Sequence, residues 1–176
     1  MRSSRIAAAA AALLLSIAAF AGCAASSGEV APTPAPMFAS DEEAFAAAEA
    51  TYRAYVDALN AHNADAASLP RPTDFLTNPL YQADLDYSRE LNAQGNTPQG
   101  ELRFRAFNLI GVEPQKVVAS VCLDVTGSRM IGPGGDDLTA ADRDAVVPLM
   151  LTFVESEQGL LISESLGYPE GVRCAM

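Results

Sequence analysis

Tryptophan is absent from this chain, histidine occurs once, as His62, and cysteine only at positions 23, 122 and 174. Basic side chains are scarce as well, 11 against 22 acidic ones, for a formal charge of −11. That balance argues against a nucleic-acid binder, which needs clustered Lys and Arg. With one histidine and no tryptophan, much side-chain chemistry is missing before any motif is sought. No G-x-S-x-G nucleophile elbow, H-E-x-x-H zinc string or phosphate-binding glycine loop is present. Asp136-Asp137 follow a glycine-rich turn but lack the EF-hand spacing of oxygen ligands, so they read as a solvated turn. Neither a metal nor a cofactor is expected.

What the chain does have is a biased distribution of apolar residues. Its 176 residues allow one domain or two small ones, and a hydrophobic share of 49% excludes a disordered polymer. Arg2 and Arg5 precede an apolar run, Ile6 to Phe20, interrupted only by Ser16. Such a run is shorter than the about 20 residues a bilayer span needs. A short basic head, an apolar core and small residues after it describe a secretory signal peptide. The arginines are not adjacent, so the general secretory route is expected.

Phe20-Ala21-Gly22-Cys23 resembles the lipobox of bacterial lipoproteins. The resemblance implies that residues 1–22 are removed and that Cys23 is acylated (palmitate among its acyl groups), anchoring the chain to the cell membrane on the extracytoplasmic face. Phe20 departs from the commoner Leu, which leaves ordinary cleavage after Ala19-Phe20-Ala21, and a free secreted protein, as the alternative. An odd cysteine count in a secreted chain needs an explanation. With Cys23 lipidated, Cys122 and Cys174 remain as a pair in an oxidising compartment. A disulfide between them would close a loop of about 50 residues and add roughly 4 kcal/mol. Two buried thiols are the alternative.

Residues 23–39 form a tether rich in Ala, Pro and Ser, with prolines at 32, 34 and 36 that favour polyproline II. At about 3.1 Å per residue the segment after Cys23 could reach up to ~50 Å from the membrane. Without residues 1–22, 9 basic and 22 acidic side chains remain, net −13. A single domain is expected over 40–176.

Ser40-Asp41-Glu42-Glu43 is a capping-box pattern, and Phe45, Ala48, Tyr52, Tyr55, Val56 and Leu59 recur at helical spacing to about Ala61. A proline-broken turn around Thr73–Leu76 follows. Asn78 as N-cap with Pro79 starts a second helix, whose buried stripe is Leu80, Ala83, Tyr87 and Leu91 and which Gly95 stops. The period then becomes two. Leu102, Phe104 and Ala106 alternate with Arg103 and Arg105 in a half-buried strand. Lys116 to Ile131 reads as one long strand with Val117, Ala119, Val121, Leu123 and Val125 on one face. After Gly132-Pro133-Gly134-Gly135, Val146–Glu155 and Leu160–Leu166 form a hairpin across Ser156-Glu157-Gln158-Gly159. Helices first and strands afterwards predict an α+β domain, helices packed on a curved antiparallel sheet of about four strands.

The segments Phe45–Leu59, Val117–Val125 with Cys122, and Gly159–Leu166 resemble the nuclear transport factor 2-like (SnoaL-like) superfamily, whose domain is cone-shaped. The whole chain is also similar to small lipoproteins of high-GC actinobacteria. Enzymes of that superfamily, isomerases and cyclases, place an Asp or His acid/base in the cone beside a Tyr. On this chain the resemblance makes Asp124 and Glu164 candidate catalytic carboxylates, with a strand-end turn or a solvated sheet face as the alternatives. Tyr52 and Tyr55 are candidate ligand-contacting residues or plain core. His62 falls at the end of the first helix, where it should face solvent and meet the helix's negative end. Arg103 and Arg105 either pair with acids or bind an anion. A homodimer through the open sheet is also implied. The expected function is a membrane-anchored, non-catalytic domain for an envelope ligand or partner, with an isomerase- or cyclase-like enzyme as the alternative.

Overall fold

The computed structural model describes residues 35–168 and Cys174. The signal segment 1–22, Cys23 and the tether through Pro34 lie outside the described residues. The described residues belong to one compact unit. Its helices are α1 (Asp41–Ala64) and α2 (Asn78–Gln94), with a 3₁₀ turn, Pro72–Phe75, between them. The strands are β1 (Thr97–Gly100), β2 (Arg103–Glu113), β3 (Lys116–Asp124), β4 (Ser128–Ile131), β5 (Val146–Ser156) and β6 (Gly159–Gly167). The two helices pack on a curved antiparallel sheet of order β2-β3-β5-β6, while β1 pairs with β4 apart from it. This is the expected α+β architecture, and the sheet is not closed.

Local signals set α1. Ser40 is its N-cap, accepting a hydrogen bond from the Glu43 backbone N–H at 3.2 Å. The Glu43 carboxylate in turn accepts from the Ala39 N–H at 3.0 Å, tying the incoming chain to the first turn. Ala44, Ala48, Tyr52 and Val56 are the buried stripe, and the two alanines let the helix backbone approach the sheet. Facing them are Val117, Ala119 and Val121 of β3, Leu151 and Phe153 of β5, Leu160 and Ile162 of β6, and Phe107 of β2. Burial of each such aliphatic or aromatic side chain is worth about 1.5–3 kcal/mol. Met37 and Phe38, at the end of the tether, also pack against this core.

Three expectations need correction. First, the strand foreseen over Lys116–Ile131 is broken after Asp124. The Asp124 carboxylate accepts from the Thr126 N–H (3.0 Å) and hydroxyl (2.6 Å), and such local bonds compete with the sheet ladder. Arg143 donates to the Val125 and Ser128 carbonyls and holds the turn shut. The chain then leaves the sheet as β4, which pairs with β1, a strand that no alternation announced. At Gly100, φ is +85° and a Cβ would lie 2.0 Å from the Gly127 carbonyl oxygen, so only glycine fits.

Second, the alternation in β2 fails at Ala106. That residue has φ +51°, the register against β3 shifts between Arg105 and Asn108, and Phe107 rather than Ala106 turns inward. Third, α2 has no fully buried residue: Leu80 and Leu91 are half-buried, whereas Ala83 is exposed and Tyr87 is 54% exposed. Its N-cap is Thr77, one residue earlier than expected, and Gly95 closes it at φ +71°.

The Glu157-Gln158 loop joins β5 to β6 as foreseen, with the Ser156 hydroxyl donating to the Gly159 carbonyl at 2.7 Å. Cys122 and Cys174, 52 residues apart, are joined by a disulfide. Val121 faces the core, so Cys122 points to the opposite sheet face and joins Cys174 there.

Candidate functional site

The start of α2 is fastened to the last strand. The Thr77 N–H donates to the Ile162 carbonyl at 2.9 Å, and Leu76 bridges Ile162 in parallel register. This contact stands the first turns of α2 beside β6 while α1 lies across the sheet. Between them is a partly enclosed cavity of about 160 Å³, lined by Tyr52 and Tyr55 of α1, Leu76, Leu80, Ala83 and Asp84 of α2, Leu151 of β5, and Ile162 and Ser165 of β6.

Tyr52 is held rigidly. It is 2% exposed, and its ring lies 5.0 Å from Phe104 edge-on, 6.0 Å from Tyr55 and 6.1 Å from Phe107. Burial pushes its phenol well above the ordinary tyrosine value. Tyr55, one turn on, is pushed up to about 12, first by burial and then by the negative charge of Asp84. Asp84 is half-buried, and burial raises its carboxyl above the ordinary value, partly offset by His62. Tyr55 and His62 lie seven residues apart, two turns along one face of α1.

Among the described residues Asp84 belongs to no ion pair. The pairs are Arg53–Glu49, Arg89–Asp86, Arg103–Glu101, Lys116–Glu113 and Arg129–Asp137. All of these side chains but Glu49 are exposed, and the pairs are worth about 0–1 kcal/mol each.

His62 sits in the last turn of α1, as foreseen, but it is half-buried, and its Nδ1 is buried with no hydrogen-bond partner among the described residues. Tyr52 and Tyr55 both line the cavity. Asp124 and Glu164 do not. Asp124 is engaged in its turn, where the Thr126 hydrogen bonds lower its carboxyl, aided by Arg105 and Arg103. Glu164 accepts from the Thr152 hydroxyl at 3.0 Å, with Thr152 alternating against the core residues Leu151 and Phe153. Arg103 pairs with Glu101 at 3.0 Å. Asp137 accepts from the Thr139 N–H at 2.9 Å, and the described residues contain no cluster of three metal-ligating side chains.

Asp84 and Ser165 are thus the polar lining groups that sequence reasoning missed. The available signal was position: Asp84 follows Leu80 by four residues and so shares its helix face. Chemically, the arrangement offers a carboxyl and a phenol at the edge of a mostly apolar space.

No family model matches the chain, and no curated protein does. Among solved structures, it is similar to the intermembrane space region of chloroplast protein ARC6, at 11% identity and a TM-score of 0.45, covering 67% of this chain and 94% of that one.

Proposed function

We propose that the mature chain is a lipoprotein, anchored through Cys23 on the extracytoplasmic face of the cell membrane, whose domain binds a small ligand without transforming it. The cavity between α1, α2 and β6 carries the binding part of the proposal. Its volume of about 160 Å³ is close to that of engineered apolar cavities that accept benzene, ~150 Å³. It suits a molecule, or a molecule's end, of a few heavy atoms. The anchoring part is supported by the basic head, apolar run and Phe20-Ala21-Gly22-Cys23, and by the Cys122–Cys174 bridge, which suits an oxidising compartment.

One observation favours a second reading, an isomerase- or cyclase-like enzyme using a carboxylate. Asp84 and Tyr55 approach the same cavity closely enough for the charge of one to act on the other. The carboxylate would then be Asp84, in place of Asp124 or Glu164. Incubating the full mature chain with the small molecule extracted from it separates the two readings. A binder returns the molecule unchanged, and an enzyme returns a product whose formation Asp84→Asn abolishes. Mass spectrometry of the N-terminal peptide tests the anchor. Cys23 bearing lipid supports it, and an unmodified N-terminus at Gly22 overturns it.

A further inference from the structure

Of the nine residues that line the cavity, only Asp84 carries formal charge, and none of them is a Lys or Arg. From the sequence side, the whole chain is acidic, at −11. An anionic ligand would meet repulsion from both and find no fixed donor charge among the lining residues. A purely apolar ligand would cover a carboxyl that has no ion-pair partner among the described residues, and burying an unpaired charge is costly. A cation removes that cost.

We propose that the cavity receives the positively charged end of a small organic cation, an amine carrying a compact apolar or aromatic group. The proposal rests on the ligand-binding reading above and names the chemical class that reading leaves open. Asp84 supplies the counter-charge from α2. Tyr52 and Tyr55 supply aromatic surface from α1, with ring centroids 6.0 Å apart, and aromatic faces attract cations within about 6 Å. Leu76, Leu151 and Ile162 are buried and form the apolar floor for the carbon part of the ligand. The charge of His62 acts on Asp84, and its buried Nδ1 has no hydrogen-bond partner among the described residues.

The test compares benzylamine with benzyl alcohol, nearly isosteric probes that differ in charge, by NMR titration of the full mature chain and its Asp84→Asn variant. The amine is expected to bind the wild type about tenfold or more tighter than the alcohol, the scale of one charge-assisted contact. Shifts should centre on the Leu76, Leu151 and Ile162 methyls. Asp84→Asn should bring the amine down to the alcohol while leaving alcohol binding in place, which also shows that the variant is folded. Raising the salt concentration should weaken the amine selectively. Equal affinities in the wild type, or an amine preference that survives Asp84→Asn, would overturn the cation assignment and leave the ligand-binding reading standing. Binding of neither probe at millimolar concentration would overturn both.

Discussion

Asn60 satisfies both backbone polar groups of Leu102: its Nδ2 donates to the Leu102 carbonyl at 2.9 Å, and its Oδ1 accepts from the Leu102 N–H at 2.8 Å. The two residues are 42 positions apart, so a single amide fixes the latter half of α1 to the entrance of β2. Asn60→Ala leaves both groups unpaired in a partly buried position, at about 1–3 kcal/mol. Urea unfolding should show a lowered midpoint with an unchanged slope, since the surface exposed on unfolding is the same. An unchanged midpoint would show that water replaces the amide without loss.

The Cys122–Cys174 bridge spans 52 residues and restricts the unfolded chain. The chain-entropy relation gives about 4 kcal/mol for a loop of that size. The double replacement Cys122→Ala, Cys174→Ala should lose most of that, and a reducing agent should do the same to the wild type but nothing to the variant. A thiol assay on denatured, unreduced protein should find neither Cys122 nor Cys174 reactive. Two reactive thiols would contradict the bridge.

Titration of Asp84 has a definite sign. Burial raises its carboxyl above the ordinary 3.8, so the folded state holds that proton more tightly than the unfolded chain. The stability it contributes is full below the unfolded value and is lost as pH rises through the folded value. Asp124 and Asp137 run the opposite way: hydrogen bonds from Thr126 and Thr139 lower their carboxyls, giving stability that is lost in acid. Asp84→Asn removes only the first contribution. The melting temperature of the variant relative to wild type should therefore rise as pH increases from below the ordinary 3.8 through the raised folded value. A difference independent of pH would contradict the burial of this carboxyl.

Tyr52 joins the core and the cavity. Tyr52→Ala should cost about 3–5 kcal/mol, the scale of removing a large buried ring. Tyr52→Phe keeps the ring contacts with Phe104 and Phe107 and should be nearly neutral in thermal unfolding. A large loss in Tyr52→Phe would show that the phenol oxygen, and not the ring, carries the stability.

The readable parts of the fold were those set by neighbours in sequence. Ser40 and Glu43 cap α1 within one turn, Gly95 closes α2, and the β5–β6 loop lies between two alternating runs. The misread parts depend on distant contacts. Val125-Thr126 have ordinary strand preferences, and the strand ends there because Asp124 bonds forward and Arg143 reaches back from 18 residues away. Thr97-Pro98-Gln99-Gly100 shows no alternation and becomes a strand only because β4 lies beside it. The cavity was half legible. Tyr52 and Tyr55 stood out as aromatics on a helical stripe, whereas Asp84 was one of several acids of α2, and the Thr77–Ile162 contact and the Leu76–Ile162 bridge set that helix beside β6.

Binding of a small molecule between α1 and α2 is the central claim, and a native mass spectrum of the full chain, purified gently from the cells that make it, tests it most directly. A discrete small-molecule adduct is predicted on the wild type, and it should be absent from Ala83→Phe, in which a ring occupies the cavity mouth. No adduct on the wild type, or one equally present on Ala83→Phe, would contradict it.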